Sequence, residues 1–200
     1  NNVVRNSKIL SRALSYAKSM DALVIGHPQD PDLSDETVAT SGKFASLRGL
    51  PSVTPLAERM GLDRDMALVE LTGAQYHFDQ ITTARSIPAL ERAKKNGHKV
   101  TAGTSIHHLT LNEFDIADYR SFFKLDPPLR SENDRLAIID AVNSGIIDVI
   151  SSLLRRGRSP CKIKKSSLQY SLTKSMPAAR IELSPPPTPS KAFSSTSSTK

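Results

Sequence analysis

The segment Lys124-Leu125-Asp126-Pro127-Pro128-Leu129-Arg130 places two consecutive prolines between charged residues. Proline fixes φ and donates no backbone hydrogen bond, so neither a strand nor a helix continues through the pair. The segment therefore predicts a rigid turn that holds its flanking charges in place.

Short apolar runs alternate with helical patterns on both sides of this turn. The predicted strands span residues 22–26, 74–81, 99–104 and 146–150, and the predicted helices span 6–19, 54–73, 82–95 and 131–145. Apolar residues recur at intervals of three and four in the helices, as one buried face requires. Strands alternating with helices favour a parallel α/β architecture. Four such βα units are half of a TIM-type (β/α) barrel, and a small open sheet is the alternative.

The connections and the tail differ from these periodic segments in composition. Residues 28–50 are polar and rich in turn residues, which predicts a long connection at the mouth of a barrel. The periodic pattern stops at residue 152, and residues 153–200 are basic and rich in Ser and Pro. We therefore expect a partial barrel domain over 1–152 and a disordered tail over 153–200. The alternative for Pro185–Pro189 is a polyproline II ligand.

The net charge of +7 belongs to the tail. Residues 1–152 hold 17 basic and 19 acidic side chains, whereas residues 153–200 hold ten basic side chains and one acidic, Glu182. Only two aromatic residues, Tyr170 and Phe193, lie among those charges, and a tail without a fold presents no surface for them, so a nucleic-acid-binding function is disfavoured. No apolar run is long enough for a transmembrane helix, and no signal peptide precedes the barrel pattern, so we expect a cytoplasmic fragment of a longer chain without a membrane partner. The single cysteine, Cys161, is interpreted as a free thiol.

Four motifs resemble those of dihydroorotases, which are cyclic amidohydrolases together with allantoinases and dihydropyrimidinases. The motifs are residues 24–30 (VIGHPQD), residues 73–83 (GAQYHFDQITT), His107-His108-Leu109, and the Lys124–Arg130 turn. Their order and spacing match the second half of the family's barrel, over residues 5–152. The resemblance implies zinc-dependent hydrolysis of dihydroorotate to N-carbamoyl-aspartate, in which zinc lowers the pKa of a water molecule. An allantoinase-type substrate remains open.

The resemblance also identifies positions for metal ligands. His27 stands at the ligand position after the fifth barrel strand, and Gln80 stands where the family has a histidine after the sixth. An amide coordinates zinc poorly, and Leu153 follows the last strand where the family has an aspartate. We therefore predict that this chain alone binds no zinc and has no hydrolase activity.

The remaining polar residues of these motifs have competing interpretations. Asp126 stands at the position of a substrate-binding asparagine, and its carboxylate would repel an acidic substrate. Arg130 either pairs with a substrate carboxylate or forms a surface ion pair. His77 is predicted to be structural, and an extended segment would point His107 and His108 in opposite directions, so both are expected to serve in packing.

Two functions follow from the resemblance. In the first, the chain is a truncated dihydroorotase-like protein of pyrimidine synthesis, and a reading-frame shift near codon 153 explains its abrupt change of composition. In the second, it is a non-catalytic dihydroorotase-like subunit that assembles with aspartate carbamoyltransferase. A homo-oligomer is also compatible with exposed sheet edges.

Overall fold

The computed structural model describes residues 4–116 and 123–152, which form an α/β unit around a parallel sheet. The elements in chain order are α1 (Ser7–Ser19), β1 (Leu23–Gly26), α2 (Pro31–Ser34), β2 (Ala39–Thr40), α3 (Lys43–Arg48), β3 (Ser52–Val53), α4 (Leu56–Thr72), β4 (Gln75–Phe78), α5 (Ile87–Lys95), β5 (Val100–Ser105), α6 (Ile106–Thr110), α7 (Glu132–Asn143) and β6 (Val149–Ser151). Short 3₁₀ helices span Ala84–Ser86 and Glu113–Ile116. The predicted tail, Cys161 and Leu153 lie outside the described residues.

The main sheet has the strand order β1-β4-β5-β6, and each neighbouring pair is parallel. All four predicted strands are present, which confirms the parallel α/β prediction. They are displaced or shortened by a few residues, most clearly in the second, which covers 75–78 instead of 74–81. The predicted helix over 82–95 begins only at Ile87, because a 3₁₀ turn precedes it.

The helices begin and end where the chain supplies suitable caps. The Asn6 side chain accepts hydrogen bonds from the amides of Lys8 and Ile9 at the start of α1. Ser131 accepts one from the Asp134 amide at the start of α7. Gly73 follows α4 with a φ of 64°, a left-handed conformation that glycine adopts without steric cost.

The main hydrophobic core lies between one face of the sheet and helices α1, α4, α5 and α7. Tyr76, Phe78 and Ala102 project from the central strands into this core. The helices contribute Leu10, Leu14, Leu62, Met66, Val69, Ala89, Leu90, Ala93, Ile138, Ile139 and Ala141. Each of the four helices precedes the strand that it covers, so the described chain consists of four αβ units in sequence.

The predicted long connection over 28–50 contains more structure than its composition indicated. It includes α2, β2 and α3, and β2 pairs in parallel with β3. A second hydrophobic cluster, which we call the lobe core, packs beside this small sheet and consists of Ala39, Ala45, Leu50, Ile116, Leu125 and Leu129. The sequence predicted the connection but not these elements, because strands of two residues are too short to produce a periodic pattern.

Candidate functional site at the carboxyl ends of the strands

His27 directly follows β1, where a parallel sheet presents functional residues. Its ring nitrogen Nδ1 lies 3.4 Å from the carbonyl oxygen of Asp79, and Nε2 lies 3.0 Å from Oε1 of Gln29. The Gln29 side chain is buried, so His27 is held from two sides by protein groups.

Gln80 occupies the corresponding position after β4. Its backbone has a φ of 60°, and its side chain is buried. The amide oxygen Oε1 has no hydrogen-bond partner within the described part of the chain. The Gln80 side chain is therefore buried at the strand end. It places an amide oxygen without a hydrogen-bond partner where the family resemblance implies a histidine ring nitrogen.

The donor set at this edge does not fit a zinc ion. A protein zinc site uses at least three ligands drawn from Cys, His, Asp and Glu. Within residues 4–116 and 123–152, no group of three or more such side chains is placed to hold a metal ion. His27 supplies one imidazole, and Gln80 supplies a neutral amide.

The histidine pair after β5 lies on a short helix, so the prediction of an extended segment was wrong. Both His107 and His108 belong to α6, and the Ser105 side chain caps this helix by accepting a hydrogen bond from the His107 amide. His108 is buried, and its Nε2 lies 3.2 Å from the carbonyl oxygen of Pro127. Burial, reinforced by the nearby positive charge of Arg130, lowers the pKa of His108 to about 3. The side chain therefore packs as a neutral imidazole that donates to the proline turn.

His77 lies within β4 on the sheet face opposite the main core. Its Nδ1 is 2.8 Å from the hydroxyl of Thr101 on the neighbouring strand. Partial burial lowers the pKa of His77, so this ring is neutral at pH 7. The contact is a cross-strand hydrogen bond, consistent with a structural role.

The proline turn ends in a buried arginine. Leu125 and Pro127 to Arg130 are buried and Asp126 is half-buried, so this segment packs into the protein. The side chain of Arg130 is only 2% exposed, which makes the predicted surface ion pair wrong. Its Nε donates to the Thr82 hydroxyl at 2.9 Å, and Nη1 donates to the Thr40 hydroxyl at 3.2 Å.

Glu58, in the first turn of α4, is the buried counter-ion of Arg130. Its Oε2 lies 3.5 Å from Nη2 of Arg130, and its side chain is 1% exposed. The carboxylate also accepts hydrogen bonds from the amides and hydroxyls of Thr82 and Thr83 and from the hydroxyl of Ser86. We call these five residues, Glu58, Thr82, Thr83, Ser86 and Arg130, the carboxylate cluster. The cluster connects α4, the loop after β4 and the proline turn.

Sequence reasoning did not identify Glu58. A single glutamate in an amphipathic helix indicates a solvated residue, because charged side chains are rarely buried. One feature of the sequence could have indicated a buried carboxylate. Thr82, Thr83 and Ser86 follow a buried strand, and their hydroxyl groups are hydrogen-bond donors that need an acceptor.

Comparison with known proteins defines the class of the fold. A dihydropyrimidinase from Brevibacillus agri superposes with a TM-score of 0.63 at 23% identity, over 74% of this chain and 33% of that protein. A dihydroorotase from Campylobacter jejuni superposes with a TM-score of 0.54 at 15% identity, over 76% of this chain and 40% of that protein. Residues 4–116 and 123–152 therefore have the fold of a segment of a cyclic amidohydrolase barrel.

Sequence similarity narrows this class. A dihydroorotase-like protein from Pseudomonas putida is 39% identical over 149 residues, which are 74% of this chain and 35% of the relative. A dihydroorotase from Desulfotalea psychrophila is 38% identical over 151 residues, which are 76% of this chain and 36% of the relative. No family model matches the sequence. The chain is thus related to the dihydroorotases and dihydroorotase-like proteins, and it spans about a third of the length of these relatives.

Proposed function

We propose that this chain is a dihydroorotase-like protein of pyrimidine synthesis that does not hydrolyse dihydroorotate by itself. The ligand set carries this proposal, because His27 is held by Gln29 and Asp79 while Gln80 replaces an imidazole with an amide. One imidazole retains zinc too weakly to activate a water molecule at neutral pH. The substrate class rests on the relatives named dihydroorotase.

The test combines zinc content with turnover. The purified chain is equilibrated with zinc, passed through a desalting column and analysed by elemental mass spectrometry, and dihydroorotate hydrolysis is then followed at neutral pH. We expect far less than one zinc ion per chain and no turnover. The Desulfotalea psychrophila relative serves as the positive control, and far-UV circular dichroism verifies that the tested chain is folded. One retained zinc ion per chain together with turnover would overturn the proposal.

A second candidate is a non-catalytic subunit that assembles with aspartate carbamoyltransferase. Gln80 supports it, because a ligand position without an imidazole is expected in a family member that no longer depends on metal. The chain and the carbamoyltransferase of the same organism are mixed at equal concentration and separated by size-exclusion chromatography. Co-elution at a fixed ratio supports assembly, whereas elution at two independent volumes rejects it.

A further inference from the structure

Four buried side-chain atoms have no hydrogen-bond partner within the part of the chain that the structure describes. They are Nε2 of Gln29, Oε1 of Gln80, Nδ1 of His108 and Nη2 of Arg130. All four residues are 2–5% exposed and lie at the carboxyl edge of the main sheet, in the loops after β1 and β4, on α6 after β5 and in the proline turn. Because buried polar groups are normally hydrogen-bonded, their concentration at one edge indicates a bound molecule that supplies the missing partners.

Gln29 and Gln80, which we call the glutamine pair, are neighbours across the His27 ring. Nε2 of His27 donates to Oε1 of Gln29 at 3.0 Å. Nδ1 of the same ring lies 3.4 Å from the carbonyl oxygen of Asp79, and Gln80 is the next residue. The free atom of Gln29 is an amide nitrogen, a donor, and the free atom of Gln80 is an amide oxygen, an acceptor. A molecule that satisfies this pair must accept from one side chain and donate to the other.

His108 and Arg130, which we call the arginine pair, offer the same combination. Nε2 of His108 donates to the carbonyl oxygen of Pro127 in the proline turn, and the Arg130 charge is close enough to lower the pKa of the imidazole. A neutral imidazole that donates through Nε2 keeps a lone pair on Nδ1, so this nitrogen is an acceptor. Nη2 of Arg130 is a donor, and it lies 3.5 Å from the Glu58 carboxylate without a hydrogen bond to the described residues.

The chemistry of the two pairs selects water as the bridging molecule. Water accepts and donates at once, so a single molecule satisfies both members of a pair. A metal ion accepts no hydrogen bond and leaves the Gln29 and Arg130 donors unsatisfied. An anion offers no donor to the acceptor of either pair, and Glu58 already neutralises Arg130. Two buried groups without partners cost more free energy than the immobilisation of one water molecule, so binding of water is favourable.

We infer that the carboxyl edge of the main sheet binds two water molecules, one in the glutamine pair and one in the arginine pair. The first connects the loops after β1 and β4, and the second connects α6 to the end of the proline turn. Water thereby makes contacts between these segments that the side chains do not make directly. The inference does not depend on the proposed function, because the unsatisfied groups need partners whether or not the chain binds zinc.

Oxygen-17 relaxation dispersion of the full 200-residue chain counts the water molecules that stay bound for longer than the protein takes to tumble. We expect at least two in the wild type. Gln80→Met keeps the length of the side chain and removes its acceptor, so we expect one long-lived water molecule fewer. Gln75→Met is the matched control, because Gln75 lies at the opposite end of the same strand and its amide donates to Asp21. The control should leave the number unchanged.

A high-resolution crystal structure of the same chain locates the water molecules without a substitution. We expect one water oxygen within hydrogen-bonding distance of both free atoms in each pair. Fewer than two long-lived water molecules in the wild type would overturn the inference, and so would direct contact between the two members of either pair. An unchanged number in Gln80→Met, with the fold verified by far-UV circular dichroism, would place the water elsewhere and also overturn it.

Discussion

Glu58 and Arg130 show why a charged pair can be buried in this fold. Removing two charges from water is costly, and their mutual attraction offsets that cost only when the remaining polar atoms are also satisfied. Burial lowers the pKa of Arg130, and the charge of Glu58 opposes that shift. Backbone amides and hydroxyls of Thr82 and Thr83 supply further donors to the carboxylate. The pair therefore depends on the precise placement of the loop after β4.

We expect Glu58→Gln to lower the free energy of unfolding by about 3–5 kcal/mol, because the substitution removes the buried carboxylate that pairs with the Arg130 guanidinium. Urea denaturation followed by far-UV circular dichroism measures the change. Glu91→Gln is the control, since Glu91 pairs with Lys95 on the surface of α5 and such pairs contribute at most about 1 kcal/mol. Equal effects of the two substitutions would show that the carboxylate cluster contributes little to stability.

His108 should make stability depend on pH between about 3 and 6.5. Its folded pKa of about 3 lies below the unfolded value of 6.5, so the unfolded chain binds an extra proton in this range and stability falls as pH falls. From pH 7.5 to 5, this one group should lower the free energy of unfolding by about 2 kcal/mol, and the contribution is constant above about pH 7.5.

The experiment compares the pH dependence of urea denaturation between the wild type and His108→Asn. Carboxylates and His77 contribute to both curves, so the difference between the curves isolates His108. His98→Asn is the control, because His98 is partly exposed. A wild-type curve parallel to that of His108→Asn would contradict the low pKa.

Helix α4 is fixed against the loop after β1 by a glycine inside the helix. A Cβ at Gly61 would lie 2.5–2.9 Å from backbone atoms of Gln29, so the helix and the loop approach more closely than any side chain permits. The backbone amide of Asp30 also donates to the carbonyl oxygen of Ala57 on the same helix. These contacts determine where Gln29 meets His27.

Gly61→Ala should therefore destabilise the protein, although alanine is the better helix former by about 1 kcal/mol. We expect a loss of about 2–3 kcal/mol, because backbone atoms cannot yield as a flexible side chain does. Thermal and urea denaturation measure it. Gly42→Ala is the control, since the nearest atom to its added Cβ is Glu113 Oε2 at 3.9 Å. A stabilised Gly61→Ala variant would show that the loop shifts freely.

The sequence predicted well those elements whose pattern lies within a single short segment of the chain. Apolar runs predicted the four strands, and the helical patterns beginning at residues 6 and 131 predicted the starts of α1 and α7 to within one residue. Contacts between distant segments were not predictable, and Glu58 with Arg130 is the clearest case, because its burial requires three segments to meet. His27 and Gln80 were located at strand ends by their motifs, whereas the hydrogen bond that His27 donates to the side-chain oxygen of Gln29 was not predicted.

At the scale of the whole molecule, the main core and the lobe core are joined through Arg130. This side chain donates to Thr40 on β2 beside the lobe core, and it contacts Glu58 and Thr82 beside the main core. Thr40 in turn donates to the carbonyl oxygen of Leu129, a lobe-core residue. These buried polar contacts therefore hold the lobe core in a defined position relative to the main core.

We expect the two cores to unfold together in the wild type and separately in Arg130→Met. The chain contains no tryptophan, so Phe44→Trp introduces a fluorescent reporter beside the lobe core. With Arg130 present, tryptophan fluorescence and far-UV circular dichroism should give coincident urea midpoints. With Arg130→Met, the fluorescence transition should occur at lower urea, because the lobe core is small and loses its polar link. Arg135→Met is the control, since Arg135 pairs with Glu132 on α7 and its loss should leave the midpoints coincident. Coincident midpoints in the Arg130→Met variant would show that apolar packing alone couples the two cores.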